Sequence, residues 1–357
     1  MANESVIPIL IPSLEPDERL TALLHDLQAA GLAPVVLIDD GSGTAYQDIF
    51  TQAQQEFGCV VLRHAANLGK GRALKDAFNY CLTTWPQLTG CITADSDGQH
   101  TAACIRKCRD ALAQSPGRLV LGVRDFDAPG VPDKSRLGNK ITRQICRLLC
   151  GVTVSDTQTG LRGIPAAFMR QLLSLPGERF EFETRMLLAA KENDVAFLEV
   201  PIETVYDSKE QHATHFHPLR DSWRIYRIFV GAFFRFLLSS LSSSVLDLAL
   251  FSFFCVLFRG HFIGTLYAAA ATAAARIISA SYNYLVNYSV VFHSRGSHKS
   301  TFIRYFILAC IQMACSAGLV ALLLMLMPAA PELAVKIPVD VVLFFASYTI
   351  QREIVYR

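Results

Sequence analysis

The second half of this 357-residue sequence has few charged residues. Residues 231–357 contain nine Lys or Arg and four Asp or Glu, set among long apolar runs. Charged residues make up 18% of the whole chain and hydrophobic residues 52%, which is more hydrophobic than an ordinary soluble enzyme. The change in composition therefore predicts a water-soluble domain followed by a membrane domain.

The chain also lacks several short signals that would indicate other functions. Its N-terminus has no basic segment ahead of an apolar run, so we expect no signal peptide and a soluble domain that stays in the cytoplasm. The net charge of +2, without a clustered basic groove, argues against nucleic-acid binding. The ten cysteines form no Cys-x-x-Cys pair, which favours reduced core thiols over zinc.

Residues 1–230 alternate short apolar runs with segments of helical periodicity. We predict strands at 6–11, 35–38, 59–62, 90–94, 118–122 and 200–206, with helices between them. This alternation indicates right-handed βαβ units and a mostly parallel α/β sheet. No Gly-x-Gly-x-x-Gly follows the first strand and no Walker loop is present, which weakens dinucleotide-binding and kinase interpretations.

Polar residues cluster where four of these strands end, and in parallel sheets ligands bind at that edge. They are Pro12, Ser13 and Glu15 after the first strand, Asp39 and Asp40 after the second, Asp95, Ser96 and Asp97 after the fourth, and Arg124 after the fifth. Residues 67–71, Asn-Leu-Gly-Lys-Gly, add glycines for close backbone approach and a lysine near phosphates. Each residue alone is an ordinary loop residue, but together they favour a nucleotide-binding site.

An acidic turn directly follows the fourth predicted strand. Asp95 and Asp97 lie two residues apart on a turn opened by Gly98, so both can bend toward one hard cation, and Gln99 adds a third oxygen. Such a set suits Mg²⁺ or Mn²⁺ shared with a diphosphate, because these ions keep positions open for substrate oxygens. Taken alone, the turn is more simply explained as a helix cap, with Asp97 or Thr101 as N-cap.

The order of the motifs I-P-S-L-E, V-L-I-D-D-G-S, N-L-G-K-G-x-A-L and D-S-D-G-Q-H, within about residues 5–230, resembles the family 2 glycosyltransferases, which have the GT-A fold. Within that family the sequence looks most like the polyprenyl-phosphate sugar synthases, such as dolichyl-phosphate mannose synthase. The resemblance implies inverting transfer of a hexose from a nucleotide sugar, GDP-mannose or UDP-glucose, to polyprenyl phosphate.

The resemblance also implies roles for individual residues. Asp95, Asp97 and Gln99 would hold Mg²⁺ or Mn²⁺ on the donor diphosphate, and Asp39 would contact the nucleotide base. The remaining donor-binding candidates are Pro12, Ser13, Glu15, Asn67, Lys70, Ser96, Asp156 and Gln158, the last two through sugar hydroxyls. Ser96 departs from the family pattern, since many relatives carry Ala there, but its side chain is also small.

Basic residues follow the fifth predicted strand and continue into a helix. Arg124, Lys134, Arg136 and Lys140 are candidates for binding the lipid phosphate. With Asp97, Arg124 and Arg136 are our catalytic candidates. A solvated helix face explains Arg136 equally well and explains the two lysines better. Glu183, at the start of a later helix, is a weaker site candidate.

The membrane half begins after the polar stretch 207–217. We predict a glycosyltransferase domain over 1–216, an amphipathic interfacial helix over 217–231 and a four-span domain over 232–357. The spans lie near 232–258, 261–288, 303–327 and 333–351, each close to the roughly 20 residues that cross a bilayer. Basic residues put the second connection and both termini on the cytoplasmic side: Arg295, Lys299, Arg304, Arg352 and Arg357.

This half resembles the GtrA-like four-helix membrane family through RFLLSSLSSSVLDLALF, ARIISASYNYLVNYSVVF and SYTIQREIVYR. A charge in the middle of a span costs about 2.5–3.5 kcal/mol, so we expect the charged residues there to face one another or a polar lipid group. These are Asp247, Arg276, Lys336 and Asp340. The half is explained equally as a passive anchor or as a device that captures or moves the lipid-linked sugar. A polysaccharide-extending enzyme is a third alternative, although its Gln-x-x-Arg-Trp motif is absent.

Overall fold

The computed structural model describes residues 6–127, 133–203, 218–258, 266–292, 294, 296–327 and 331–356. The chain divides into two compact units, Met1–Ile228 and Phe229–Arg357. The predicted polar stretch 207–217 lies outside the described residues, as do Arg295 and Arg357.

Seven strands in the described part of the first unit form one sheet, in the order β3-β2-β1-β4-β6-β5-β7. The strands are β1 Ile9–Ser13, β2 Val35–Asp39, β3 Val60–Arg63, β4 Gly90–Thr93, β5 Leu119–Arg124, β6 Arg162–Pro165 and β7 Phe197–Ile202. The sheet is parallel except where β6 pairs with β4 and β5. The prediction of a mostly parallel α/β sheet is confirmed.

Helices connect the strands and cover the sheet. They are α1 Glu18–Ala29, α2 Gln47–Gln55, α3 Lys70–Thr84, α4 Ala102–Gln114, α5 Asp133–Ile145, α6 Ala166–Leu172 and α7 Glu181–Glu192. A π-helical turn, Cys146–Cys150, continues α5. The core between the sheet and helices α1, α2 and α4 includes Ile9, Ile11, Leu24, Leu37, Ile92 and Ile105, all 2% exposed or less. This apolar core holds the strands in place, and it thereby sets the positions of the residues at their carboxyl ends.

Most strand bounds differ from the predicted ones by a few residues, and β7 begins at Phe197 rather than at residue 200. Two differences concern β1 and β6. Strand β1 does not end before Pro12 but includes it, with Pro12 in register with Ile38 of β2. Strand β6 was not predicted, because its sequence, Arg-Gly-Ile-Pro, has neither a β-branched run nor an apolar alternation. Its neighbours determine its conformation, since Gly163 lies opposite Ile92 on one side and Val120 on the other.

The described part of the second unit consists of long helices. After α8 Pro218–Phe258, which begins in the first unit, come α9 Leu266–Val286, α10 His298–Leu326 and α11 Glu332–Ile350. Within the residues that the structure describes, three segments are long and apolar enough to cross a membrane: Tyr226–Phe258, His298–Leu326 and Ala334–Val355. The predicted second span, now α9, is 21 residues long but contains Arg276, Ser279 and Asn283, which lower its hydropathy.

One helix covers both the predicted interfacial segment 217–231 and the predicted first span, over Pro218–Phe258. Helix α8 continues for 41 residues through Gly231. A single glycine weakens a helix by only about 1 kcal/mol, and the apolar residues on either side maintain the helix.

Charged residues in the membrane helices contact one another, as predicted. Arg276 lies 3.1 Å from Asp247, and Lys336 lies 3.0 Å from Asp340. Hydroxyl groups complete both pairs, because Ser279 donates to Asp247 and Ser316 donates to Asp340, each at 2.7 Å. Each carboxylate thus has both a cation and a hydroxyl partner.

Buried amides connect α9 to the end of α11. Asn287 Nδ2 donates to Asn283 Oδ1 at 2.9 Å and to Gln351 Oε1 at 3.1 Å, and Tyr305 OH also donates to Asn283 Oδ1. Asn287 and Gln351 each begin a π-helical turn. The buried amides thus satisfy one another's polar atoms between the membrane helices.

Replacing Asn287 by Leu should therefore destabilise the membrane unit. Asn287 is fully buried, and its loss leaves Gln351 Oε1 without this donor, at a cost of about 1–3 kcal/mol. Thermal unfolding of the full chain in detergent should show a lower midpoint. The control is Ser281→Ala, whose hydroxyl bonds only to Ile277 O in its own helix. Equal midpoints for the two variants would contradict this role for the amide network.

Candidate active site

The predicted polar residues do meet at one edge of the sheet. Strands β2, β1 and β4 are neighbours, and Ser13 at the end of β1 is in register with Asp39 at the end of β2. Ser13 is 2% exposed, yet its Oγ has no hydrogen-bond partner among the described residues. A buried hydroxyl without a partner beside a strand end is suited to a ligand contact.

The two carboxylates after β2 make different contacts. Asp39 accepts the Ser42 N–H at 2.8 Å, whereas Asp40 accepts the N–H groups of Leu68 at 2.9 Å and Gly69 at 2.8 Å. Asp40 therefore holds the loop that leads into α3. Gly41 permits this close approach, since a Cβ there would lie 2.3 Å from the Ala66 carbonyl carbon.

His64 supports Asp40 and was missed by the sequence reasoning. Its Nδ1 lies 2.8 Å from Asp40 Oδ1, and its Nε2 lies 3.1 Å from Asp76 Oδ2. Arg72 donates to the same Asp76 oxygen at 2.9 Å. A lone histidine after a strand carries no local signal for this role, because its partners lie on β2 and α3.

Lys70 is the central cation of the site. Its Nζ lies 2.7 Å from Asp95 Oδ1 and 3.0 Å from Glu183 Oε2. Desolvation lowers the pKa of Lys70, but the charges of Asp95 and Glu183 outweigh it and raise the pKa above its usual value. Desolvation likewise acts to raise the pKa of Asp95, and the charge of Lys70 nevertheless holds it well below its usual range. The pair is therefore ionised at neutral pH.

Two further residues enclose the Asp95 carboxylate. His100 is buried, and its Nε2 lies 3.5 Å from Asp95 Oδ2, while its Nδ1 has no partner among the described residues. Gly160 lies against the other side, where an added Cβ would meet Asp95 Oδ2 at 2.2 Å. Gly160 O also accepts the Thr93 hydroxyl at 2.8 Å, which fixes this glycine to the end of β4.

Asp97 is less constrained than Asp95. Its Oδ1 accepts the Gln99 N–H at 3.0 Å, while the N-cap of α4 is Thr101, whose hydroxyl accepts the Cys104 N–H. The prediction of a cap at Thr101 is confirmed, and Asp97 is not required for it. Burial, followed by the charge of Asp95, raises the pKa of Asp97.

The acidic turn fits a divalent cation. In the described residues no group of three His, Cys, Asp or Glu side chains gathers as a metal site. The predicted ligands are two carboxylates, Asp95 and Asp97, and the Gln99 amide, and this set stays a prediction. Burial and then the charge of Asp95 raise the pKa of Asp97, and a cation beside the two carboxylates would favour the ionised form of Asp97. An oxygen donor set that leaves positions open suits Mg²⁺ or Mn²⁺ with substrate oxygens.

The two predicted catalytic arginines meet at Phe126. Arg124 donates to both oxygens of Asp156, at 2.6 and 3.1 Å, and its guanidinium lies 4.9 Å from the Phe126 ring centroid. Arg136 donates to the Phe126 carbonyl oxygen at 2.9 Å. Asp156 is fully buried and also accepts the Gln158 N–H, so its contacts favour positioning Arg124 over binding sugar hydroxyls.

The segment 156–160 joins the two halves of the site. One end holds Arg124 through Asp156, and the other end lies against Asp95 through Gly160. Strand β6 follows directly, and Arg162 at its start is 0% exposed. Arg162 donates to the carbonyl oxygens of Thr159 and Glu183, and burial lowers its pKa.

The other predicted residues occupy varied positions. Pro12 is buried, Ser96 is partly exposed, and Glu15, Asn67, Gln99, Lys140 and Gln158 are exposed. Glu15 has a φ of 50° and donates its N–H to Ser42 Oγ at 2.9 Å. Lys134 lies in α5, but its side chain falls outside the described residues.

Helix α5 and its π-helical turn have an exposed apolar stripe. Leu137 is 60% exposed, Ile141 45% and Leu148 60%, at a spacing that places them on one face. The opposite face is buried and consists of Asn139, Thr142 and Cys146. The exposed basic residues Lys140, Arg143 and Arg147 flank the apolar stripe. This pattern is typical of a helix that lies at a membrane surface.

Two family models match the chain. Residues 9–173 match glycosyl transferase family 2, and residues 235–356 match the GtrA/DPMS transmembrane domain. The chain is a family 2 glycosyltransferase joined to a GtrA/DPMS transmembrane domain. The predicted GT-A fold class with a helical membrane domain is thereby confirmed.

Relatives of this glycosyltransferase occur in archaea. The chain is similar to a UDP-N-acetylglucosamine–dolichyl-phosphate N-acetylglucosaminyltransferase of Methanococcus voltae. The two are 24% identical over 220 residues, which cover 57% of this chain and 87% of the relative. The chain is 26% identical over 231 residues, 63% of this chain and 71% of the relative, to glycosyltransferase AglJ of Haloferax volcanii. The chain is also distantly similar to a solved structure, glucosyl-3-phosphoglycerate synthase from Mycobacterium tuberculosis with Mn²⁺, UDP and glucosyl-3-phosphoglycerate. The sequence identity is 15% and the TM-score is 0.45, and the match covers 63% of this chain and 77% of that one.

Replacing Gly160 by Ala should reduce activity by displacing Asp95. The added methyl group would overlap both carboxylate oxygens and separate them from Lys70. We expect a loss of transfer rate of at least about tenfold, equal to about 1.4 kcal/mol of barrier. The control is Gly117→Ala, where a Cβ meets nothing within 4 Å. Unchanged steady-state rates for Gly160→Ala would show that the position of Asp95 does not matter.

Proposed function

We propose that this glycosyltransferase transfers a hexose from a nucleotide sugar, GDP-mannose or UDP-glucose, to polyprenyl phosphate, with inversion at the anomeric carbon. The name of the Methanococcus voltae relative describes transfer to dolichyl phosphate, and the GtrA/DPMS domain lies in the same chain as the transferase domain. The observation that carries the proposal is the meeting of two guanidinium groups, Arg124 and Arg136, around Phe126.

This arginine pair suits the phosphate of a lipid acceptor. Guanidinium groups bind phosphate through paired N–H donors, and the buried Asp156 holds Arg124 in one orientation. The exposed stripe of α5 contributes the membrane contact, since Leu137, Ile141 and Leu148 would enter the lipid surface. Lys140 lies beside this stripe, where it would meet lipid phosphates.

The donor would bind at the ends of β1, β2 and β4. Asp39 would face the nucleotide base, and Lys70, at the first position of α3, would face the diphosphate. A divalent cation would be held by Asp95, Asp97 and Gln99, and when bound it would neutralise charge on the departing diphosphate. Ser13 would offer its unpartnered hydroxyl to the donor.

The transfer needs orientation more than proton transfer. A phosphate monoester has a second pKa of roughly 6, so the acceptor is largely a dianion at neutral pH and already nucleophilic. Arg124 and Arg136 would align one acceptor oxygen behind the anomeric carbon. Because the acceptor needs no deprotonation, we assign no general base. A single in-line displacement converts an α-linked donor into a β-linked product.

The proposed location is the cytoplasmic face of the membrane, with both termini in the cytoplasm. Among the described residues, Lys299, Arg304 and Arg352 are the basic groups at the helix ends that support this orientation. Each carboxylate in the membrane helices already has a cationic partner and a serine hydroxyl partner. This favours a role for the membrane domain as an anchor over transport of the lipid-linked sugar.

Full-length protein in detergent should convert polyprenyl phosphate and a labelled nucleotide sugar into a labelled lipid. A donor panel with Mg²⁺ or Mn²⁺ identifies the sugar, and EDTA should abolish the product. Asp97→Asn should lower the rate by at least about 100-fold, because it removes a negative charge from the cation site. The control is His25→Ala, which changes an exposed residue of α1 and should leave the rate unchanged. Failure to label the lipid with any donor would refute the proposed function.

The two arginines should differ from the donor residues in their kinetic effect. Arg124→Lys and Arg136→Lys keep a positive charge but lose paired donation, so the KM for polyprenyl phosphate should rise about tenfold or more. The KM for the nucleotide sugar should change little. Asp156→Asn should reproduce the effect of Arg124→Lys, since it weakens the contacts that orient Arg124. A rise confined to the KM of the nucleotide sugar would place these residues at the donor instead.

A further inference from the structure

Three groups contact the Asp95 carboxylate, whose side chain is 30% exposed. Lys70 Nζ lies 2.7 Å from Oδ1, His100 Nε2 lies 3.5 Å from Oδ2, and Gly160 packs against the carboxylate. The ammonium group therefore already occupies the position beside Oδ1, and a cation that bound Asp95 would lie close to it. Two positive charges within about 4 Å of each other repel strongly in a partly buried site.

Glu183 offers Lys70 a second anchor. Its Oε2 lies 3.0 Å from Lys70 Nζ, and its Oε1 is buried without a hydrogen-bond partner among the described residues. The Glu183 side chain is 12% exposed, and its own carbonyl oxygen is held by Arg162 at 2.6 Å. The backbone of Glu183 is thus held by Arg162, and its carboxylate has one oxygen on Lys70 and one without a partner among the described residues.

We propose that the Lys70 ammonium group competes with the divalent cation for Asp95. When Asp95 binds the cation, Glu183 keeps its contact with Lys70. The inference rests on the proposed cation site at Asp95 and Asp97. Without nucleotide, Lys70 neutralises Asp95 and keeps divalent-cation affinity low. A nucleotide diphosphate brings negative charge that both cations can share, so cation and nucleotide bind together.

Opposite effects are expected from the two partners of this contact. Lys70→Met removes the competing charge, so Mn²⁺ alone should bind about tenfold or more tightly than to the unaltered chain, while nucleotide should enhance that binding less. Glu183→Gln leaves Lys70 with Asp95 as its remaining carboxylate partner. Mn²⁺ affinity in the presence of nucleotide should then fall about tenfold.

The test is Mn²⁺ binding to the full chain in detergent, measured from the electron paramagnetic resonance signal of free Mn²⁺. Titrations are made without nucleotide, with UDP and with GDP, and thermal unfolding verifies that each variant is folded. The matched control is Lys75→Met, which removes another buried lysine of α3, paired with Glu178 at 2.8 Å. Its Mn²⁺ affinity should equal that of the unaltered chain.

The outcomes separate this inference from the proposed function. Tighter Mn²⁺ binding by Lys70→Met together with weaker binding by Glu183→Gln supports the competition. If nucleotide promotes Mn²⁺ binding but Lys70→Met binds Mn²⁺ alone no more tightly than the control, the competition is refuted and the cation site stands. If neither UDP nor GDP promotes Mn²⁺ binding in any variant, both the competition and the proposed cation site are refuted.

Discussion

The ion pair between Lys70 and Asp95 is the contact on which the organisation of the site depends. It joins the first residue of α3 to the acidic turn after β4, and through Glu183 it also reaches the start of α7. Each of these elements is held independently. Asp40 fixes the loop before Lys70, Gly160 limits the position of Asp95, and Arg162 holds the Glu183 carbonyl oxygen.

The antiparallel strand β6 gives this site two halves. It lies between β4, which leads to the acidic turn, and β5, which ends at Arg124. The segment 156–160 before β6 contacts both halves, with Asp156 on Arg124 and Gly160 on Asp95. In the proposed function the donor diphosphate binds at one half and the acceptor phosphate at the other, so the segment 156–160 would set the spacing between them, on which in-line attack depends.

Local patterns in the sequence predicted the parts of this site that are close together along the chain. The acidic turn, the polar strand ends and the membrane helices each depend on residues within a few positions of one another, so apolar periodicity and turn chemistry located them. Turn chemistry alone favoured a helix cap at the acidic turn, and its role as a cation site came from the order of the motifs along the chain. The contacts of Lys70 with Glu183 and of Arg124 with Asp156 join distant positions, and a single sequence carries no signal for them. Strand β6 also depended on neighbouring strands rather than on propensity.

An experimental structure of the full chain with Mn²⁺ and UDP or GDP tests the central claim most directly, through two distances. The Lys70 Nζ to Asp95 Oδ1 distance, now 2.7 Å, should exceed the hydrogen-bonding limit of about 3.5 Å, with the cation on Asp95 and Asp97. The contact of Lys70 with Glu183 should persist near its present 3.0 Å. A cation bound away from Asp95, with the Lys70–Asp95 pair unchanged, would contradict the account.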